Sequence, residues 1–340
     1  MLNLVLTFIK VLFIGILIPL IISLFAYIYL LIKFYFFRKE KNFKNKHVII
    51  LGASSGLGEA LSYRLIKQGI KLSIASRREQ ELKNVQKKCY EINNKSLCDY
   101  YIVDITKEID IKNLLEKSIQ KHGFPSLIIN CAGIAHPGFI TELKMETYMS
   151  DMNLNYLGNL KLLKEIINQY KKNITSIKDN VIDIICVGSC LGIIGSIGYT
   201  SYCPTKFALK GLLDSLKYEL LNTKLNLHYY GPSNMLTPGL VQENKTKPQI
   251  VTDMESNAKN ISADEAAIVL LSNLDKYMIT SEPDLELLKL SNYFMNENKW
   301  IDILLIPVSV IGIIFTRKSI EKNIRKKYDI FNHDIKQKSE

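Results

Sequence analysis

The sequence predicts an α/β protein built on one doubly wound parallel sheet, and three observations carry that expectation. Short apolar, branched runs alternate with amphipathic stretches between residues 47 and 300, the pattern of strands covered by helices on both faces. A glycine-rich turn, Gly52-Ala-Ser-Ser-Gly56-Leu-Gly58, joins the first apolar run to the first amphipathic stretch. No internal repeat or low-complexity block interrupts the series. A chain of 340 residues has room for two domains, but a sheet of this kind fills about 250 residues as one.

The first strand is expected at residues 47–51 and the first helix at 59–68. A glycine turn between them lets backbone N–H groups and the helix N-terminus face a pyrophosphate, as in Rossmann-type folds. Gly52, Ser54, Ser55, Gly56, Leu57 and Gly58 are therefore candidate cofactor contacts. An ordinary tight turn is the bland alternative. The second strand, 71–75, ends in Ser76-Arg77-Arg78. An NAD site places an acid there for the ribose 2′-hydroxyl, whereas two guanidinium groups suit a 2′-phosphate. NADPH is the expected cofactor, with Arg77 and Arg78 as its grip. Glu81 lies where a further basic partner would be expected, and exposed arginines are common at helix starts.

The third strand, 100–103, ends in Asp104-Ile105, where a carboxylate can accept from an adenine amino group. The fourth, 126–129, ends in Asn130-Cys131-Ala132-Gly133, and the small Ala132 and Gly133 let a ribose lie against the backbone. Asn155 is a polar residue among apolar neighbours in the next helical stretch, and residues 171–180 read as a polar loop. The fifth strand, 181–187, ends in Gly188-Ser189. Tyr202 and Lys206 then stand four apart, on one face of a helix, with Pro204 suited to its first turn. Lys206 is expected to lower the Tyr202 phenol from its ordinary value near ~10. Tyr-x-x-x-Lys also arises by chance, so the pair gains meaning only from its surroundings. The sixth strand, 225–230, runs into a Gly/Pro-punctuated loop at 231–239 that includes Pro232. Its apolar residues can close over a greasy substrate. Ser262-Ala-Asp-Glu265 is a capping box for a helix running to about residue 274.

The net charge of +11 is concentrated at the flanks. Residues 33–46 hold six basic side chains against Glu40, and 317–340 hold eight against four acids. A nucleic-acid protein carries such an excess on its folded domain; here it lies beside apolar segments, which favours a membrane surface and no nucleic acid. Residues 11–32 form 22 uncharged positions, long enough to cross about 30 Å of hydrocarbon. With no small-residue cleavage site, the stretch reads as an uncleaved transmembrane anchor. The lysines and arginine that follow it place the folded domain in the cytosol. A second apolar stretch, 303–316, is short for a crossing and is followed by basic residues, so a re-entrant or interfacial membrane segment is expected, with a buried core helix as the alternative. The six cysteines show no metal spacing, and no metal is expected.

Taken together, GASSGLG (52–58), Asp104, NCAG (130–133), Asn155, Ser189 and YCPTK (202–206) resemble, in order, the motifs of the short-chain dehydrogenase/reductase family. The likeness covers residues 46–280, with an anchor and basic flank at 1–45 and a linker, membrane segment and basic tail at 281–340. Three stretches, CAGIAHPG (131–138), MNLNYLG (152–158) and TPGLVQENKTKP (237–248), are most similar to the branch that reduces 3-ketosphinganine. The resemblance implies NADPH-dependent reduction of that long-chain lipid ketone to sphinganine, at the cytosolic face of the endoplasmic reticulum membrane. It implies Tyr202 as proton donor, Ser189 as the donor that orients the ketone, Lys206 on the nicotinamide ribose and Asn155 as support for a proton-relay water. Family members often pair through the helices around Asn155 and Tyr202, so a homo-oligomer is compatible. The sequence departs from the family at Leu51, at Cys131, at Gly188 where relatives often carry a second serine, and in a longer 231–239 loop. The alternatives are a related membrane-bound reductase acting on a steroid, retinoid or long-chain acyl ketone, and a nucleotide-binding membrane protein without turnover.

Overall fold

The computed structural model describes residues 13–292 apart from 96, 178–179 and 257–259, with isolated positions outside that range. The chain divides into two compact units, Glu40–Ser281 and a second drawn from Met1–Lys39 and Glu282–Glu340.

In the larger unit the strands are β1 (His47–Leu51), β2 (Lys71–Ser76), β3 (Leu97–Ile102), β4 (Leu127–Asn130), β5 (Ile182–Val187), β6 (Leu225–Gly231), β7 (Met235–Leu236), β8 (Ile261–Ser262) and β9 (Met278–Thr280). All but β7 and β8 form one parallel sheet in the order β3-β2-β1-β4-β5-β6-β9. Every residue of β1, β4 and β5 is buried, because helices cover both faces of a parallel sheet and leave its central strands no wet side. The strand order grows outward in both directions from the β1–β4 pair. A crevice therefore opens beyond the strands' C-terminal ends, the usual ligand position in such sheets. Leu51 pairs with Asn130, which sets the glycine-rich turn beside the turn after β4.

Two expectations need correction. Residues 171–180 are not a loop: the helix Gly158–Ile177 runs through most of them. Asn173 Nδ2 donates to the Gln169 carbonyl at 2.8 Å and Ser176 Oγ to the Asn173 carbonyl at 2.8 Å. Polar side chains here bond their own helix instead of breaking it, and Ile177 is buried at its end. The capped helix is Ala263–Leu271, shorter than expected, although Ser262 Oγ does accept from the Glu265 N–H at 3.0 Å. Strand β9, only three residues long, gives no sequence signal; pairing with Tyr229–Gly231 creates it.

The entry to this unit is fastened to the sheet end opposite the crevice. Lys41 Nζ donates to the fully buried Asp183 near the start of β5 at 2.6 Å. Glu40 pairs with Arg64 at 2.6 Å, and the Phe43 N–H reaches Gln68 Oε1 at 2.8 Å.

In the smaller unit, a π-helical turn at Phe13–Leu17 leads into the α-helix Ile18–Phe36. Pro19 falls in its first turn, where the missing N–H costs nothing. The helix has a mean hydropathy of 1.9 and is mostly unburied. Its 19 residues span about 28 Å, enough by length and composition to cross a bilayer. Helix Pro283–Asn292 also belongs to this unit. The second apolar stretch, 303–316, lies largely outside the described residues.

Candidate active site

A cleft of about 650 Å³ opens at the C-terminal ends of the strands. Its floor is the glycine-rich turn. Gly52 has φ +73°, and a Cβ there would lie 2.6 Å from the Ala132 backbone nitrogen. Glycine thus lets the β1 and β4 turns touch. A Cβ at Gly58 would lie 2.4 Å from the Gly52 carbonyl, so the helix Gly56–Ile66 starts hard against the turn with its N–H groups toward the cleft. This cradle fits a dinucleotide pyrophosphate. At its outer end Arg78 folds back over the turn, donating to Ser54 Oγ at 2.8 Å and Ser55 Oγ at 2.6 Å. Arg77 is exposed beside it. Glu81 touches Arg78 only at 3.9 Å between half-exposed side chains, a weak pairing in water. Burial alone would raise the Asp104 carboxyl. The Thr106 N–H at 3.0 Å, the Thr106 hydroxyl at 2.8 Å and the charge of Arg77 outweigh it and hold that group below the ordinary range.

The inner end gathers Ser189, Tyr202 and Lys206. Ser189 follows β5 and accepts from the Leu191 N–H at 3.1 Å. Tyr202 is the residue before helix Cys203–Glu219, and Lys206 lies one turn inside it. Lys206 Nζ donates to the Val187 carbonyl at 3.1 Å and stands 5.4 Å from the Tyr202 ring centre. Burial lowers Lys206 to about 8 against the opposing influence of Cys186, Asp151 and Cys131. Its cationic form therefore declines as pH rises through about 8.

The expected depression of the Tyr202 phenol by Lys206 is corrected. Burial raises it well above the ordinary value, the Ser189 hydrogen bond opposes, and the Glu243 charge adds to the rise. Desolvation outweighs the nearby ammonium. A phenol held this way is protonated at neutral pH, the state a proton donor needs.

Asn155 does not line the cleft but lies fully buried behind it, in the π-helical turn Asn153–Leu157. Its side chain accepts from the Ile134 N–H at 2.9 Å and donates to the Ile134 carbonyl at 2.8 Å and to Thr205 Oγ1 at 3.1 Å. It thus clamps the turn after β4 to the helix carrying Lys206. Asn130 likewise faces inward, accepting from the Ala132 N–H at 3.1 Å and donating to Asn159 at 2.8 Å. The remaining candidates, from Gly52 through Leu57 and Gly58, Ile105, Ala132 and Gly133 to Pro232, all line the cleft.

Sequence reasoning missed two features. The 231–239 loop is partly ordered: β7 pairs with β8, and Thr237 caps a helix at Pro238–Glu243 that brings Gln242 and Glu243 to the cleft with Tyr199. The other is Tyr229. Its hydroxyl donates to the Ser189 carbonyl at 2.7 Å and accepts from the Ser189 N–H at 3.0 Å, bracing Ser189 from beneath. A Cβ at Gly188 would stand 2.1 Å from the Tyr229 ring, so a serine does not fit at 188 beside this tyrosine. Gly188→Ser is expected to destabilise the protein by roughly 1–3 kcal/mol through overpacking. In a Tyr229→Ala background, itself destabilised by the loss of a buried ring, the added cost of Gly188→Ser in thermal unfolding should be smaller than in the wild type.

Comparison with known proteins gives one family. Residues 46–248 match the short chain dehydrogenase family. A 3-ketodihydrosphingosine reductase of Dictyostelium discoideum is 32% identical over 82% of this chain and 88% of its own. A 3-dehydrosphinganine reductase of Danio rerio is 30% identical over 67% of each chain. A 3-ketodihydrosphingosine reductase of Cryptococcus neoformans is 30% identical over 87% of this chain and 90% of its own. Among solved structures, a short chain dehydrogenase/reductase from Burkholderia phymatum in complex with NAD superposes with a TM-score of 0.63 at 18% identity. It covers 74% of this chain and 94% of that one. An alcohol dehydrogenase from Thermococcus sibiricus complexed with 5-hydroxy-NADP gives 0.58 at 19% identity, covering 69% of this chain and 95% of that one. At such identities the structures speak for the fold.

Proposed function

We propose that this chain, which belongs to the short-chain dehydrogenase family and is a keto-reducing oxidoreductase, reduces the 3-keto group of 3-ketosphinganine to sphinganine with NADPH. The observation that carries the substrate is the shared name of its relatives. Amoebal, fish and fungal proteins matched over 67% to 87% of this chain are all named as reductases of that ketone. The catalytic domain is read as residues 46–280. Helix Ile18–Phe36 and the basic residues 38–46 support an anchor in the endoplasmic reticulum membrane with this domain in the cytosol.

The cofactor, when bound, supplies the hydride. Tyr202, kept protonated by its surroundings, gives its proton to the carbonyl oxygen as negative charge grows there. Ser189, fixed by Tyr229 and by the Leu191 N–H, donates a hydrogen bond to the same oxygen and orients the ketone. Lys206 holds a positive charge beside the phenol and a donor toward the nicotinamide ribose. Asn155 keeps Lys206 and the turn after β4 in register. Gly52 to Gly58 would cradle the pyrophosphate, Asp104 and Ile105 would bound the adenine, Ala132, Gly133 and Pro232 would bound the ribose and nicotinamide, and Arg77 and Arg78 would grip the 2′-phosphate.

The 2′-phosphate assignment is testable by itself. Arg77→Ala with Arg78→Ala is expected to raise KM for NADPH by about 10- to 100-fold, the loss of one or two charged hydrogen bonds. KM for NADH should change far less; an equal change in both would place the arginines elsewhere. The function itself is tested by incubating the purified protein in detergent with NADPH and 3-ketosphinganine and identifying sphinganine as the product.

A further inference from the structure

We infer that Glu243 is the carboxylate that recognises the substrate's ammonium group, an inference that rests on the sphingoid-ketone reading above. 3-Ketosphinganine carries a primary amine on the carbon next to its ketone, and at neutral pH that amine is a cation. Whatever holds the ketone at Ser189 and Tyr202 therefore meets a positive charge one carbon away. Removing such a charge from water is costly unless an anion pairs with it.

The cleft supplies that anion. Helix Pro238–Glu243, capped by Thr237, delivers Glu243 on its last turn to the wall that also holds Tyr199 and Tyr202. The Tyr199 and Tyr202 ring centres are 6.1 Å apart, and the Tyr199 hydroxyl donates to the Glu243 carboxylate. Glu243 is thus next to the reacting phenol, close enough for its charge to act on Tyr202. Behind it lies Lys247, its side chain only 3% exposed, 2.7 Å from Glu255 and 3.4 Å from Glu243. Glu255 also accepts from Asn234 Nδ2 at 3.0 Å and from the Tyr199 hydroxyl at 3.2 Å.

The charge count then decides between two roles. In this hydrogen-bonded group two carboxylates face one ammonium, and Lys247 sits nearer Glu255. One negative charge is in excess. Of the three charged residues, Glu243 is the one that lines the cleft. If Glu243 served only to hold Tyr199, its charge would be superfluous, because Glu255, 3.2 Å from that hydroxyl, is placed to accept its single proton instead. A substrate cation completes the balance, and a steroid or retinoid ketone, having no amine, does not.

Two substrates and one substitution test this. They are 3-ketosphinganine and the 3-ketone of the same chain length lacking the amine, assayed with NADPH on the full-length protein and on Glu243→Gln. The substitution is expected to raise KM for the amino ketone by about 10- to 100-fold, the worth of a charged hydrogen bond, and so to erase the preference for it over the deaminated ketone, any effect through Tyr202 being shared by both substrates. The wild type should also prefer the amino ketone by a similar factor, a comparison that needs no variant to fold. Equal effects of Glu243→Gln on both substrates, or no effect on either, overturn the inference while leaving the sphingoid reading in place. A wild type that reduces neither long-chain ketone overturns the sphingoid reading itself, and this inference with it.

Discussion

Tyr202→Phe is expected to lower kcat for ketone reduction by roughly 10²- to 10⁴-fold, the usual worth of a positioned general acid, while NADPH affinity stays within about twofold. The substitution removes one oxygen from a ring that otherwise keeps its place beside Tyr199 and Lys206. The loss should therefore fall on the chemical step and spare cofactor binding. Because burial and the Glu243 charge raise the phenol while Ser189 opposes, the donor stays protonated through neutral pH. A rate decline on the alkaline side should then follow Lys206, lowered to about 8, before Tyr202 itself ionises. Turnover of Tyr202→Phe close to wild type would remove the phenol from the mechanism.

Lys206→Met is expected to do two opposite things. Activity should fall by roughly 10²- to 10³-fold, because a fixed positive charge is lost where charge develops. Stability of the protein without cofactor should rise at pH 7. A lysine moved from 10.5 to about 8 carries a burial cost of about 3 kcal/mol while protonated, less the hydrogen bond to the Val187 carbonyl that the substitution also removes. The sign follows from proton counting. Between about 8 and the ordinary lysine value the unfolded chain binds more protons than the folded one, so wild-type stability rises with pH across that window. The stability advantage of Lys206→Met should accordingly be full below pH 8 and shrink above it. Thermal unfolding in detergent at several pH values measures it. An advantage that grows with pH would mean that the buried ammonium is not the source of the cost. Active sites commonly trade stability for function in this way.

The parts legible in the sequence were those written locally. The glycine turn, the arginine pair after β2 and Ser189 at the end of β5 each sit within a few residues of one strand end, and the parallel sheet brings those ends together; the Tyr202–Lys206 spacing is written within one helix start. What depends on distant pairing was hidden. Tyr229 braces Ser189 from 40 residues away, and its ring fills the space that a side chain at 188 would need. The hydrogen bond from Asn155, in its π-helical turn, to Thr205 spans 50 residues of sequence. Glu243 could be counted as a charge but not placed, because the 231–239 segment reads as a loop until β7 pairs with β8. The shift at Tyr202 ran opposite to expectation for the same reason: spacing brings Lys206 near, whereas burial comes from the whole fold.

Reduction of a long-chain amino ketone with NADPH is the activity proposed for this cleft. The most direct measurement is kcat/KM of the purified full-length protein for 3-ketosphinganine, a steroid ketone and retinal, followed by NADPH oxidation. Rapid oxidation is expected with 3-ketosphinganine and little with the other two. Flat NADPH oxidation with 3-ketosphinganine alongside turnover of the steroid or retinal would contradict it.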